Sequence, residues 1–589
     1  MIYSQPGVIN VGDTLQPWSM IPNINTPTVA QNNAAALQSA IAEAQAFLNG
    51  ECPSGSPDFG AVILFPSNDL IPLEGTLGNG SIYYIACPPT QPYAVEITCN
   101  WPILFLGTSA AVELHMVKNQ SLETGDIFRI NLPGGEAAGG IAFQDLQLRY
   151  YNGAPAGVAA INVVNGQNTR LFRVNFIDCP IGVWLANALQ CTIFDCVFYS
   201  EANIGIGVQL GDNLASHLAK EIYIAGCIFL SDAHSGVGLL VEGSDHLRVA
   251  DTRIEGYHNG IQIVPGGAGQ NAVHHHFTGV TAYTGKSAGD PNAGAALTIQ
   301  PQTTAQQISD IVFEGCHFET GENLPASDGP GILIDATPPD ADTASIIETV
   351  LFVSCQATLW TGPGMQINSG QDIEIIGGMY SGNASSGSPP GGISINGPAE
   401  RVRIVGVSCV GRYEVINNVG DQGMLSPHQQ VGVYIDQGAT DVIVDGCDLT
   451  KNAMYGAQVL GETESVTTNV FIRDCDASGY GPYSDAVNVS GIVSNVQITN
   501  CAGYNDQTVG LASTPPSSTT RFNGTTHSYY GPATFYVSGP SVTGIKVASS
   551  PTATAISTGL LSGAFRLDPD EWGEVDYGIG AITFVLVGT

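Results

Sequence analysis

One local frame returns along most of this chain. "CVFYSEANIGIG" at residues 196–207 is echoed by "CIFLSDAHSGVG" at 227–238: Cys, one residue, Phe, a polar stretch with a carboxylate at a fixed offset, then Gly before an apolar run. Eight of the thirteen cysteines (Cys196, Cys227, Cys316, Cys355, Cys409, Cys447, Cys475 and Cys501) sit in this frame, late in alternating segments such as "VFIRDCDA". Anchoring each unit on that Cys or its equivalent gives Val174, Cys196, Cys227, Thr252, Thr281, Cys316, Cys355, Gly378, Cys409, Cys447, Cys475 and Cys501. The intervals run from 22 residues (Val174 to Cys196) to 39 (Cys316 to Cys355). Between anchors a second signature recurs as "IGVWL" at 181, "IGVQL" at 206, "VGLLV" at 237, "NGIQI" at 259 and "VGVYI" at 431. Gly followed by period-2 alternation reads as a strand after a tight bend. The shortest interval holds three short strands with their turns, and the longer ones carry insertions on one side. Strands in constant order, too few for a propeller blade of four, fit coils of a parallel β-helix in which each strand pairs with its copy in the next coil.

The cysteines follow from that reading. A repeated frame stacks side chains coil upon coil inside a core, where a free thiol behaves as a small hydrophobe. A disulfide framework would pair distant cysteines at irregular offsets. Zinc would need paired C-x2-C spacing, which the sequence lacks. We therefore expect buried thiols, no metal and no cofactor.

The two ends of the chain depart from the frame. "QNNAAALQSAIAEAQAFL" places Leu37, Ile41, Ala44 and Leu48 on one helical face, which predicts a helix capping an open end that would otherwise template aggregation. "GAVILFPSNDL", "SIYYIAC" and "WPILFLGTSAAVEL" read as the first strands. Past about residue 505 the frame stops, and a Thr/Ser/Pro/Gly-rich connector leads to "ATFYVSG", "SGAFRLDPDEWGEVDYG" and "AITFVLVGT", read as short antiparallel strands. The expected organisation is 1–135, an N-terminal segment with capping helix and first coils; 136–505, the parallel β-helix; 506–530, a linker; and 531–589, a β-module serving as cap or trimerisation unit.

The order of helix, "GAVILFP" and "WPILFLG" resembles the pectate-lyase-like superfamily of right-handed parallel β-helices, in particular its glycoside hydrolase family 28-related branch, which includes phage tailspike depolymerases. The resemblance covers roughly residues 30–505. It implies an all-β, right-handed parallel β-helix with an N-terminal capping helix and a small C-terminal antiparallel β-module. It also implies action on polysaccharides and, from the C-terminal module, a homotrimer. The paired-Asp motif of the polygalacturonases matches no position here, so no catalytic residue is carried over from the family.

Charge narrows the partners. The formal net charge is −35 because Lys and Arg number only 17, and such a surface repels nucleic acid and anionic membranes. No run of 18 apolar residues spans a bilayer, and the first residues show no basic-then-apolar secretory leader. An extracellular or virion-associated setting is the expectation, with a polysaccharide or oligosaccharide as partner.

Residues at one offset in adjacent coils form a column, because paired strands lie about 4.8 Å apart. Glu201 and Asp232 share an offset; in the next coil Tyr257 takes it, with Glu255 two residues earlier and His258 beside it. His234 follows Asp232 in the same turn, and Asp178 lies one coil earlier. Carboxylates about 5–5.5 Å apart serve a retaining glycosidase and about 6.5–9.5 Å an inverting one, and like charges at that range raise one pKa to supply the acid. The catalytic candidates are thus Glu201, Asp232 and Glu255. Substrate-binding candidates are Asp178, His234 and His258, with Tyr199, Tyr257, Tyr283 and Trp360 as stacking platforms for sugar rings. In "VHHHF", residues 273–277, strand alternation puts His274 and His276 on one face without a third ligand. The expected function is glycoside hydrolysis of a polysaccharide. A polysaccharide lyase using Arg248 or Arg253 beside a Tyr or His base, and a non-catalytic adhesion or virion fibre, are the alternatives.

Overall fold

Three short strands and their turns make one coil, called here the opening, middle and closing strands. The structure is a computed structural model that describes most of the chain between Val8 and Gly588. Residues 1–7, 52–59, 67–80, 118–124, 133–139, 213–217, 285–293, 321–328, 338–345, 384–390, 412–428, 479–485 and 505–532, with some shorter stretches, lie outside the described residues. The boundary expected at 135 and the linker expected at 506–530 fall there. The chain divides into two units, Met1–Glu348 and Thr349–Thr589.

In the first unit every coil pairs in parallel with the next. Opening strands Ile181–Leu185, Ile206–Leu210, Val237–Val241 and Asn259–Ile263 align Val183 with Val208, Leu239 and Ile261. Middle strands Ala219–Ala225, Ser244–Ala250 and Ala272–Thr278 form a second ladder. Closing strands Asn175–Ile177, Val197–Ser200, Ile228–Ser231, Arg253–Glu255 and Thr281–Thr284 form a third.

The Cys-x-Phe frame now has its physical cause. The middle strand turns into the closing strand over one left-handed residue, supplied in successive coils by Asp145, Arg173, Asp195, Gly226, Asp251, Gly279 and Gly315. Asp, Asn and Gly tolerate that conformation best. The next residue points inward, giving a buried column of Val174, Cys196, Cys227, Thr252, Val280 and Cys316. Two residues on, Phe176, Phe198 and Phe229 stack with ring centroids 4.7 and 4.4 Å apart. The glycines of the second signature make room for this stack: a Cβ on Gly182 or Gly207 would overlap the ring of Phe198 or Phe229. Those glycines lie within the strand, whereas the sequence reading placed them at a bend before it. Two anchors shift as well. Thr281 pairs with Arg253, so Val280 is the true equivalent of Thr252. In the second unit the bridges Met379–Ser408 and Ser408–Asp448 put Val407, not Cys409, in line with Cys447. All eleven cysteines among the described residues are buried free thiols.

The helix Pro27–Glu51 packs on the first strands, Ala61–Phe65, Ile82–Ile85 and Tyr93–Ile97, with Leu37, Ile41, Ala44 and Leu48 fully buried. It also satisfies a strand edge. The Gln38 side chain donates to Glu96 O at 2.9 Å and accepts from Glu96 N at 3.0 Å, which occupies backbone groups that would otherwise recruit another strand. At the helix start, Thr26 Oγ1 accepts from Val29 N, an N-cap.

The second unit repeats the opening and middle ladders, for example Val431–Asp436 on Tyr455–Gly461 and Thr440–Asp445 on Thr467–Arg473. After Gln356–Thr358 its closing strands shrink to single bridges. The end of the chain forms two small antiparallel sheets. Ala533–Ser538 pairs with Gly563–Leu567 and Thr583–Gly588, and Val542–Ala548 pairs with Ile556–Ser557 and Trp572–Tyr577.

Truncating the middle of the aromatic stack tests this packing. Phe198→Ala is expected to cost about 3–5 kcal/mol, read as a lowered denaturant midpoint by circular dichroism. A cost below about 1 kcal/mol would mean that the rings do not stack as described.

Candidate functional site

The closing strands end on paired serines, Ser200 and Ser231, and the Asp232 amide donates to Ser200 O at 2.9 Å. Glu201 and Asp232 are therefore consecutive members of one column, and both are exposed. The Tyr199 hydroxyl donates to Asp232 Oδ2 at 2.6 Å. Buried Asp178 accepts from the Glu201 amide at 2.8 Å and has Arg149 Nη2 3.8 Å from its other oxygen. The hydrogen bond to Asp232, followed by burial and the charges of Asp232, Glu201 and Asp178, pushes the Tyr199 phenol up to about 12. Tyr199 thus stays protonated at neutral pH as a donor.

Other candidates separate from this group. Glu255 pairs across the ladder with Leu230 and Tyr283, so it lies in the column of Tyr199 and not in that of Asp232. Its carboxylate is held by Arg253 Nη2 at 2.5 Å, and that guanidinium sits 5.8 Å from the centroid of half-buried Tyr283. His234 occupies a left-handed turn position with Nδ1 3.3 Å from Gly256 O, and His258 is half-buried.

Two stacking platforms are corrected by the structure. The closing strand Arg253–Glu255 is short, and left-handed Gly256 turns the chain early. Tyr257 follows inward and is 2% exposed, with burial pushing its phenol upward. In the second unit Trp360 is 1% exposed, its amide bonded to Asn383 Oδ1 at 3.0 Å. Neither ring offers a face to a sugar.

The opening strands carry a carboxylate pair that the sequence reading missed. Outward positions Trp184, Gln209, Leu240 and Gln262 form one column. Just past the strand ends lie Asp212 and Glu242, 9% and 8% exposed. The Glu242 amide donates to Leu210 O at 2.8 Å, which aligns Glu242 with Gly211 and sets Asp212 beside it in the neighbouring coil. Gln209 Nε2 donates to Glu242 Oε2 at 2.6 Å, and the Trp184 indole donates to Gly211 O at 2.8 Å, fixing its ring. Burial raises the Glu242 carboxyl, the Gln209 bond opposes that, and the negative charge of Asp212 adds to it. The signal in the sequence was a carboxylate within two residues of the end of two successive opening strands, "IGVQLGD" and "VGLLVE", one residue out of step with each other.

No family model matches the chain, and no curated protein matches it. Solved structures do, as parallel β-helices. A point mutant of the tailspike protein of E. coli bacteriophage HK620, in complex with pentasaccharide, is 12% identical with a TM-score of 0.56, covering 98% of this chain and 92% of that one. The catalytic domain of Agl-KA is 12% identical with a TM-score of 0.40, covering 84% and 69%. The A-module of the Azotobacter vinelandii mannuronan C-5 epimerase AlgE4 is 11% identical with a TM-score of 0.35, covering 84% and 98%. The tailspike likeness carries the fold: this chain is a parallel β-helix protein.

The Tyr199–Asp232 bond has a direct readout. A phenol raised by a carboxylate acceptor should titrate near 12, and Asp232→Asn should bring it back toward the ordinary value of about 10. Ultraviolet difference titration against Tyr199→Phe isolates this residue; an unchanged titration in Asp232→Asn would show that the bond is not formed. Because the folded phenol holds its proton more tightly than the unfolded one, this bond's contribution is complete below about pH 10 and fades as pH rises toward 12.

Proposed function

We propose that the chain is a polysaccharide-cleaving glycoside hydrolase, with Glu242 as general acid and Asp212 as its carboxylate partner. The observation that carries this reading is the pair itself. Two nearly buried carboxyl groups sit on neighbouring coils, and burial lifts one of them toward the protonated state that a leaving glycosidic oxygen needs. Trp184 lies one column over with its ring anchored by its own N–H, a platform for the C–H face of a pyranose. Gln209 holds Glu242 in position. A surface on which equivalent side chains recur every ~4.8 Å suits a polymer, and the tailspike of the same fold holds a pentasaccharide.

The closing-strand group supports a second reading, in which Glu201 and Asp232 act as the catalytic carboxylates. The specific observation in its favour is the 2.6 Å bond from Tyr199, which orients an exposed Asp232 beside Glu201. Glu255 is the weakest of the three sequence candidates because Arg253 neutralises it. That same ion pair weakens a lyase, since it occupies one of the two arginines offered to neutralise a uronate. The other, Arg248, extends from a middle strand, and Tyr199 is too tightly protonated to act as base. A binding-only fibre leaves the raised Glu242 without a role. The reading includes a homotrimer joined through the strands after residue 531, checked by the mass in solution against three chains.

Digestion of a glycan panel tests these readings together. Hydrolysis yields reducing ends without a new ultraviolet-absorbing double bond, a lyase yields that double bond, and a fibre protein yields neither. Glu242→Gln is expected to lower kcat by 10²–10⁴-fold, roughly the worth of a general acid, and activity in the wild type should fall as pH rises through the Glu242 titration. If Glu242→Gln keeps full activity while Glu201→Gln or Asp232→Asn abolishes it, catalysis belongs to the closing-strand group.

A further inference from the structure

We infer that the middle strands of the first unit hold a divalent transition-metal site built from Asp245, His246 and His274. The placement arises from a break in strand alternation. In a regular strand, Asp245 and His246 would point to opposite faces. Here His246 adopts a left-handed conformation with φ 57°, and its equivalents in the next two coils, His274 and Asp310, do the same at 58° and 54°. As a result two consecutive residues face outward before the inward position resumes. Asp245 and His246 are accessible while Leu247 is buried, and Val273 and His274 are accessible while His275 is buried. The register Asp245–Val273 brings His274 alongside His246.

The three side chains converge on one point. The Nδ1 atoms of His246 and His274 lie 2.6 and 2.9 Å from the same oxygen, Asp245 Oδ1. Their rings stack with centroids 4.6 Å apart and planes 28° from parallel. One ligand atom from each residue falls within 4.8 Å of the others. Two imidazole nitrogens and a carboxylate oxygen suit zinc, cobalt or nickel rather than magnesium or calcium, which prefer oxygen ligands alone. A tetrahedral ion with bonds of about 2.0–2.1 Å spaces its ligands by roughly 3.4 Å. Seating it requires each of the two solvent-exposed imidazoles to draw its Nδ1 back from Asp245 Oδ1 by less than ~1 Å. Exposure of the rings also leaves an entry path and room for water as the remaining ligand.

An outer partner is in place too. Asp310 Oδ2 lies 3.6 Å from His274 Nε2, the nitrogen turned away from the ligand point. Closing that gap by a small side-chain rotation would let the carboxylate accept from Nε2 and keep Nδ1 aimed at the metal, the usual support of a metal-binding histidine. His275, the central residue of "VHHHF", takes no part. It is buried, bonded to Ser244 Oγ at 2.9 Å, and burial pushes its imidazole down to about 3. Strand alternation pairs His274 with His276 and finds no third ligand; the structure instead groups His274 with two residues of the preceding coil, Asp245 and His246, and His276 stands outside the group.

Titrating the untagged full-length protein with Co²⁺, followed by its visible ligand-field absorption, and with Zn²⁺ by calorimetry tests the site. The wild type should bind one equivalent per chain with micromolar or tighter affinity. His246→Ala and His274→Ala should each weaken binding by at least tenfold, and Asp310→Asn by a smaller factor. His276→Ala should leave it unchanged, and the circular dichroism of every variant should match the wild type. The inference is overturned if the wild type takes up neither ion in that range, or if the two histidine variants bind as the wild type does.

Discussion

Parallel pairing of each strand with its copy one coil away is the constraint on which the rest of this structure depends. Once the backbone hydrogen bonds run along the stack, any side chain has its equivalents above and below at about 4.8 Å. Whatever is placed at one position must therefore tolerate its own kind as neighbour. Apolar and aromatic residues do so readily. Phe176, Phe198 and Phe229 stack face to face, thiols stack in the column of Cys196 and Cys227, and inward glycines on the opening strands leave the rings their volume. Charges tolerate it poorly, and the chain handles them by alternation or by hydrogen bonding. Arg173 lies on Asp145 and Arg401 on Asp372, each through two bonds.

Where like charges do share a neighbourhood, the stack sets how much water reaches them. Asp212 and Glu242 are close because Gly211 and Gly243 bring adjacent coils together at the ends of the opening strands. Both are nearly buried, with Gln209 donating to Glu242 Oε2, Gln270 donating to Asp212 O and the Trp184 indole donating to Gly211 O. Burial and mutual repulsion act in the same direction on Glu242. On the closing strands Glu201 and Asp232 are also neighbours, but water reaches both, and Tyr199 and Asp178 take up the local polar contacts.

Much of the architecture was legible because a repeat reports long-range contacts through local sequence. The capping face of Leu37, Ile41, Ala44 and Leu48, the coil order and the buried cysteines all follow from periodicity alone. Site residues were harder to read, for three physical reasons. Strict alternation fails wherever a left-handed residue intervenes, which hid the shared face of Asp245 and His246. Turn length varies, so Tyr257, at the offset of Asp232, swings into the core after Gly256. Burial of an isolated aromatic such as Trp360 depends on contacts distant in sequence, and no local pattern marks it.

Disulfide trapping measures the register most directly. Glu201→Cys and Asp232→Cys, made together, place two thiols on Cα positions one coil apart, within the 4.4–6.8 Å that a disulfide spans. Mild oxidation should join them within one chain, giving a crosslinked peptide by mass spectrometry while the native buried thiols stay reduced. Two introduced thiols that both remain alkylatable under the same oxidation would mean that these positions are not coil neighbours, and the stacked arrangement described for the first unit would be contradicted.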